Sequence, residues 1–270
     1  MWFVPPAIAV AASWLKNSDL SLETIRTQSS DEQFSALSEG RVDAVVTSMD
    51  NVFHWNQRPG PQDFVIVAQM ELTTALSIVA SPRVRNVSDL CGANILVDAP
   101  ENGFVIALRA LLNQAGLGVS DYALTPVGGV KERFLALLKS QGDATLLGPP
   151  FDALALAEGM HKVAEIQRAY PDFPGQGLVV RRSSLSSNPG IHRWLSILSE
   201  AIKLFPENLS RLRSSLIDDG VPEAAVTSMV ASIPDSLTPS ERGVNLLIEH
   251  RRLLGLVGSD ATYEHVVCLV

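Results

Sequence analysis

Positive charge is what this chain most lacks: 21 Lys and Arg stand against 29 Asp and Glu, a formal charge of −8. No basic run occurs anywhere, so neither a nucleic-acid backbone nor an anionic membrane face is an expected partner, since both reward clustered Lys and Arg. Cysteine is almost absent. Cys91 and Cys268 lack the close spacing of a zinc or redox motif and read as two unpaired structural thiols, with pairing and redox compartment left open. His161, His192, His250 and His265 have no local partner that suggests ligation, and no His/Glu spacing resembles a metal site. A serine-nucleophile motif, a P-loop and a dinucleotide fingerprint are also missing, and Gly128-Gly129 alone is too weak to count. No cofactor is expected. The apolar stretch Trp2 to Leu15 is too short to span a bilayer, so no membrane insertion is expected. It has no Lys or Arg ahead of it and is broken by Pro5-Pro6, so Pro6 to Lys16 reads as a first helix rather than a signal-peptide remnant, although Ala9 to Ser13 could pass for a peptidase site.

What the chain does contain is an internal repeat. DEQFSALSEGRVDAVVTSMDN, from Asp31 to Asn51, matches KERFLALLKSQGDATLLGPPFD, from Lys131 to Asp152, at a constant offset of 100 residues. Glu32 meets Glu132, Phe34 meets Phe134, Ala36-Leu37 meets Ala136-Leu137, and Asp43-Ala44 meets Asp143-Ala144. Each copy has apolar residues at helical spacing, a Gly-containing break, and a short apolar run: helix, tight turn and buried strand, twice. The strands then end in different chemistry, Thr47-Ser48-Met49-Asp50 in one copy and Gly148-Pro149-Pro150 in the other. Ligands of open α/β sheets bind outside the carboxyl ends of strands, so the repeat predicts two similar lobes facing each other across a cleft.

In chain order, Met1 to Val4 reads as the end of a strand, Leu20 to Thr27 as a second strand, and Ser29-Ser30-Asp31 as a helix cap. Asn51 to Gln57 opens a helix, and Phe64 to Gln69 is a buried strand. Leu72 to Ala80 reads as an extended first crossover. Further strands are expected at Asn94–Val97, Tyr122–Val127 and Lys162–Ile166, with an amphipathic helix from Phe104 to Ala115 and another from Phe151 to Glu158. Leu178 to Arg182 is the second crossover, and from Pro189 onward the pattern is helical nearly throughout, as far as Ala261 to the end. The fold class is therefore α/β: two Rossmann-like lobes with a central cleft and two crossover strands, and a helical carboxyl-terminal tail on lobe 1. Lobe 1 is discontinuous, residues 1–78 and 180–270; lobe 2 is residues 79–179.

Candidate ligand contacts come from the loops. Asp50 is the best polar contact, with helix N-capping as its competing role. Thr47, Ser48 and Asn51 share its strand end and could hydrogen-bond a ligand. His54, four residues on, falls on the face of Asp50, and a His–Asp pair could do acid–base work; a partly exposed helix pair is the plainer reading. Asp98, Glu101 and Asn102 flank a helix start, where a carboxylate also favours the helix dipole, and Glu101 is expected to point at solvent. Gly103 offers a backbone N–H and Phe104 an apolar wall, while Gly148 and Pro149 offer backbone and shape. No arginine is evident among these candidates, which favours a neutral or cationic small molecule stacking on Trp or Phe, since free sulfonate or phosphate usually recruits Arg.

The chain resembles the type II periplasmic-binding-protein fold, in the branch that holds nitrate, sulfonate and taurine binding proteins and the thiamine-pyrimidine precursor (NMT1-like) group. The residues that carry the resemblance are Pro5-Pro6-Ala7 with Ala11, Glu39 to Ala44 with Ser48 to Val52, Asp98-Ala99-Pro100, and Gly142-Asp143-Ala144 with Gly148-Pro149-Pro150. It implies a hinge-closing solute-binding protein, plausible as the substrate-binding component of an ABC importer, with a permease as partner and Pro5 among the ligand contacts. Two departures stand out. The family's leader and full first strand are replaced by four residues ahead of Pro5: an exported or periplasmic location is expected if a leader was trimmed, a cytoplasmic one if Met1 is the native start. The histidine and Cys-rich motif of the eukaryotic pyrimidine synthases are missing too, with Asn51 at the histidine's position. The alternative is a cytosolic decarboxylase, dehydratase or cyclase on the same scaffold, with Asp50, His54 or Glu101 as acid or base.

Overall fold

The computed structural model describes residues 20–218 and 220–269. The expected strand over Met1–Val4, the expected helix over Pro6–Lys16 and the candidate contact Pro5 lie outside the described residues. The helices that frame the two lobes are α1 (Ser30–Ser38), α2 (Asn51–Trp55), α3 (Val105–Gln114), α4 (Val130–Leu138), α5 (Phe151–Ala157), α6 (Pro189–Lys203), α7 (Phe205–Asp218), α8 (Glu223–Ala231) and α9 (Glu241–Leu253).

Among the described residues the strands divide into two sheets. The first has the order β1-β8-β2, from β1 (Ala44–Ser48), β2 (Phe64–Gln69) and β8 (Gln176–Arg181), with β8 antiparallel to both neighbours. The second has the order β5-β4-β6-β3-β7, from β3 (Ser77–Ala80), β4 (Asn94–Val97), β5 (Ala123–Pro126), β6 (Ala144–Leu147) and β7 (His161–Glu165). β4 is parallel to β5 and β6, and α3 and α4 are the crossovers such pairing requires. β3, by contrast, is antiparallel to β6 and β7. The antiparallel strands β3 and β8 are the two that arrive from the other sheet. The chain crosses over residues 70–76 and returns over residues 166–175.

The apolar runs are continuous because both sheet faces are covered. Along β2, Phe64 and Ile66 join the core that holds Phe34 and Trp55, while Val65 and Val67 face the opposite way into a cluster with Trp194, Leu198, Leu212 and Val226 of α6, α7 and α8. Those helices form the tail on lobe 1. The final long helix does something different: Val244, Leu247 and Ile248 of α9 join the cluster containing Leu108 and Leu112 of α3, against which α9 packs. The chain then comes back to the first sheet, where Val267 bridges Ile66.

Both repeat copies fold as expected, α1 into β1 and α4 into β6. Ser29 caps α1 by accepting from the Glu32 amide, the arrangement its position before an acidic first turn predicts. Elsewhere the structure corrects the sequence reading. Leu20 to Thr27 is not a strand, because no described strand lies beside it to complete a ladder. Of Leu72 to Ala80 only Ser77–Ala80 is strand; the backbone before it bonds irregularly, with the Leu72 amide donating to the Ser232 carbonyl. The terminal helix is confined to Tyr263–Val266. Cys91 and Cys268 are both free thiols.

Candidate functional site

The carboxyl ends of β1 and β4 meet across the space between the sheets. β1 delivers Thr47 and Ser48, and the chain turns at once into α2, so that Asp50 and Asn51 are brought to the same place, all four buried. Opposite, the loop between β4 and α3 carries Asp98 to Phe104. Asn51 Nδ2 donates to Thr47 Oγ1 at 2.6 Å, and Asn102 Nδ2 donates to Asn51 Oδ1 at 2.7 Å. The Gly103 amide donates to Asp50 Oδ2 at 2.8 Å. Gly103 has φ 80°, and a Cβ there would stand 3.2 Å from Asn51 Oδ1, so the close approach of the two loops needs glycine. A third link joins the Ser30 amide to Asp98 Oδ2, at 3.1 Å.

Asp50 behaves differently from the expectation. Its side chain makes no capping bond to α2, and it does not pair with His54. Its Oδ2 instead accepts from Arg251 Nη1 at 2.8 Å, in a pair with no exposure on either side chain. A guanidinium outcompetes a neutral imidazole for a buried carboxylate, because its charge–charge attraction offsets part of the desolvation. Burial holds the Asp50 carboxyl above its usual range, and Arg251 with the Gly103 amide pull it only part of the way back. His54 is half-buried and held below its usual range by burial and by the nearby Arg251 and Arg58 charges.

The described residues border a cavity of about 850 Å³. Part of it runs behind β1 to Ile191 and Trp194, so the interlobe cleft is only a portion of that volume. Of the sequence-predicted contacts, Thr47, Ser48, Asn51, Asp98, Asn102, Gly103, Phe104 and Gly148 border the cavity. Asp50, His54, Glu101 and Pro149 do not; Glu101 is exposed, as its sequence position predicts. Trp55 offers no stacking surface to a ligand, being fully buried between Phe34 and Phe64.

Sequence reasoning missed Arg133, Thr74 and Gln176, all of which border the cavity. Arg133 overturns the expectation that the cleft lacks arginine. It is buried on α4, donating from Nη1 to the Gly128 carbonyl at 2.7 Å and from Nη2 to the Leu146 carbonyl at 3.2 Å. Burial weighs against its charge, and the Asp98 and Glu132 carboxylates favour it. The signal that could have found it is the repeat itself. Arg133 aligns with Gln33, whose Nε2 donates to the Val46 carbonyl at 3.0 Å, and Val46 aligns with Leu146. The same tie from helix to strand is built twice, with a cation in the second copy.

Thr74 belongs to the first connecting segment and Gln176 opens β8 where the second one ends, and a carboxylate links them. Glu71, buried, accepts on Oε2 from Thr74 Oγ1 at 2.6 Å and from the amide and side chain of Gln176, each at 3.4 Å. With no cation beside it among the described residues, burial pushes the Glu71 carboxyl up to about 7. Gln167 ties the segments a second time, accepting from the Leu76 amide and donating to Thr73 Oγ1.

No group of three or more His, Cys, Asp or Glu among the described residues could hold a metal ion. No helix among them is long and apolar enough to cross a membrane.

A family model described as the NMT1-like family matches residues 3–204. None of the curated proteins matches the chain. Among solved structures, the ligand-binding component of an ABC-type import system from Staphylococcus aureus, with zinc bound, is 14% identical; the match covers 98% of this chain and 92% of that one at TM-score 0.81. The alkanesulfonate-binding protein SsuA from Xanthomonas axonopodis, bound to MOPS, is 16% identical over 98% and 95% of the two chains at TM-score 0.76. The periplasmic nitrate-binding protein NrtA from Synechocystis is 11% identical over 97% and 80% at TM-score 0.78. These likenesses establish the fold as that of a type II periplasmic binding protein.

Proposed function

This chain belongs to the NMT1-like family, and from that premise we propose that it is a solute-binding protein whose two lobes close on a small molecule, serving as the substrate-binding component of an ABC importer. The observation that carries the reading is the meeting of Thr47, Asn51, Asn102 and Gly103 at one cavity wall, with both lobes contributing hydrogen-bonding groups to the same space. Binding needs complementary walls and a hinge, and the paired segments around Glu71 and Gln176 supply the second. In this reading the two lobes join at residues 70–76 and 166–175 rather than at the expected 78/79 and 179/180, because β3 and β8 each lie whole in one sheet; the protein works outside the cytoplasmic membrane, and its macromolecular partner is a permease.

The ligand contacts come from the groups that border the cavity: Thr47, Ser48, Asn51, Asp98, Asn102, Gly103, Phe104 and Gly148, with Arg133, Thr74 and Gln176 added. A wall that carries both Asp98 and Arg133 removes the basis for restricting the ligand to neutral or cationic compounds. The acid–base enzyme alternative loses support at the same point, because Asp50, His54 and Glu101 all lie off the cavity and Asp50 is neutralised by Arg251.

The test is native mass spectrometry for a retained small molecule, followed by a thermal-shift screen of small metabolites. One compound class should raise the melting midpoint in proportion to the logarithm of its concentration. A protein that retains nothing and responds to no class in a broad screen would sink the reading.

A further inference from the structure

Asp50 and Arg251 are 201 residues apart, do not border the cavity, and are each fully buried. Their pairing is incompletely satisfied: Asp50 Oδ1 and Arg251 Nη2 have no hydrogen-bond partner among the described residues. Replacing a buried ion pair with apolar side chains of similar size is often neutral or stabilising, and a partly satisfied buried network is costly. Stability alone therefore gives a weak account of this pair. Its connections give a better one. Arg251 lies near the end of α9 and is itself held by Nε donating to the Val257 carbonyl at 2.6 Å. The Asp50 oxygen that receives Arg251 is the one that receives the Gly103 amide. One residue along on each side, Asn51 and Asn102 meet at the cavity wall. α9 also packs on α3, the helix that the Gly103 loop opens.

We infer that Asp50 and Arg251 are a positioning pair for the ligand cleft. Arg251 orients the Asp50 carboxylate, the carboxylate fixes the Gly103 amide, and this sets the Asn102–Gly103 loop of one lobe against Asn51 of the other. The carboxyl-terminal helix is thereby coupled to the ligand-facing loop without touching the ligand. The inference rests on the ligand-binding reading above, but its first readout needs no ligand.

Two double variants of the full chain separate positioning from structural support. Asp50→Leu with Arg251→Met replaces the pair by apolar side chains and removes the acceptor for Gly103. Asp50→Asn with Arg251→Met removes both charges but leaves a side-chain carbonyl that can accept from Gly103. Amide hydrogen exchange is measured over residues 102–105 and, as an internal reference, over β4. The apolar pair is expected to melt near the wild-type midpoint while residues 102–105 exchange about tenfold faster, the size expected for one lost hydrogen bond, with β4 unchanged. The amide-containing pair should recover most of the protection. If both double variants exchange like wild type over 102–105, or if both accelerate equally there, the inference is overturned. Should the apolar pair fail to fold, Arg251→Lys is read the same way: local acceleration at 102–105 supports the inference, and acceleration spread evenly through the chain overturns it. For any compound found in the metabolite screen, the apolar pair should weaken binding about tenfold and the amide-containing pair much less. A local exchange effect with no compound binding any version of the protein would leave the positioning intact and sink the ligand-binding reading instead.

Discussion

Gly40 and Ser140 occupy the same turn of the two repeat copies, and both adopt left-handed backbone, at φ 70° and 57°. Their hydrogen bonds correspond as well: the Gly40 and Arg41 amides donate to the Leu37 and Ala36 carbonyls, and the Ser140 and Gln141 amides donate to Leu137 and Ala136. Each turn closes a helix and launches a buried strand. Glycine takes this conformation without a steric cost, whereas an L side chain is strained there.

Exchanging the two residue types should therefore shift stability in opposite directions. Ser140→Gly is expected to stabilise by about 1 kcal/mol, and Gly40→Ser to destabilise by a similar amount. A Cβ at Gly40 meets nothing within 4 Å among the described residues, so its cost is conformational and not a clash. Urea unfolding checks both; a destabilised Ser140→Gly would show that the serine side chain contributes more than its backbone costs.

Gly103 combines the same conformational demand with a close contact. Gly103→Ala adds a Cβ at φ 80°, 3.2 Å from Asn51 Oδ1, and is expected to cost about 1–2 kcal/mol. Asn51 must also yield, which loosens its bond with Asn102. Melting temperature and retention of bound molecules in native mass spectrometry should fall together. A variant with unchanged melting and unchanged retention would remove Gly103 from the cleft.

Phe34, Trp55 and Phe64 form a closed triangle of rings with centroids 5.6 to 5.9 Å apart. They join one copy of the repeat to α2 and β2. Trp55→Ala should cost about 3–5 kcal/mol, the range for emptying a large aromatic site. Trp55→Phe should cost much less, because it keeps a ring in the triangle and removes an indole N–H that has no partner among the described residues. Equal losses from both variants would contradict this packing account.

The repeat made the fold legible, because one pattern of apolar spacing appears twice and predicts the same helix, turn and strand both times. Strands of unbroken apolar residues, such as Phe64–Gln69 and Asn94–Val97, were legible for the same reason. Leu72 to Ala80 was not, since residues that alternate well enough for a strand are used in part as a connection between sheets. At the site, small and polar residues at strand ends pointed to Thr47, Asn51 and Asn102, which do border the cavity. Asp50 stands out by its position at a strand end, but its partner is hidden: nothing local predicts an arginine 201 residues away. Arg133 is concealed differently, inside a helix whose apolar spacing speaks only of packing.

Two buried titratable groups make opposing predictions about acid stability. Burial raises the Glu71 carboxyl from an ordinary value of 4.5 to about 7. The folded protein therefore holds that proton where the unfolded chain has lost it, and stability falls as pH rises from roughly 4.5 to 7. Burial lowers His250, packed edge-on against Tyr170, from 6.5 to about 4. Here the unfolded chain takes the proton first, so stability falls as pH drops from roughly 6.5 to 4. The two effects, each on the order of 3 kcal/mol at full extent, oppose each other across most of this range. Single variants should expose them. Glu71→Gln should leave stability rising with pH between about 4 and 6.5, and His250→Phe should leave it falling between about 4.5 and 7. Urea unfolding at several pH values across this window checks both. If the two variants keep the wild-type profile, Glu71 and His250 titrate in the native state much as they do in the unfolded chain, and burial at these two positions does not control their protons.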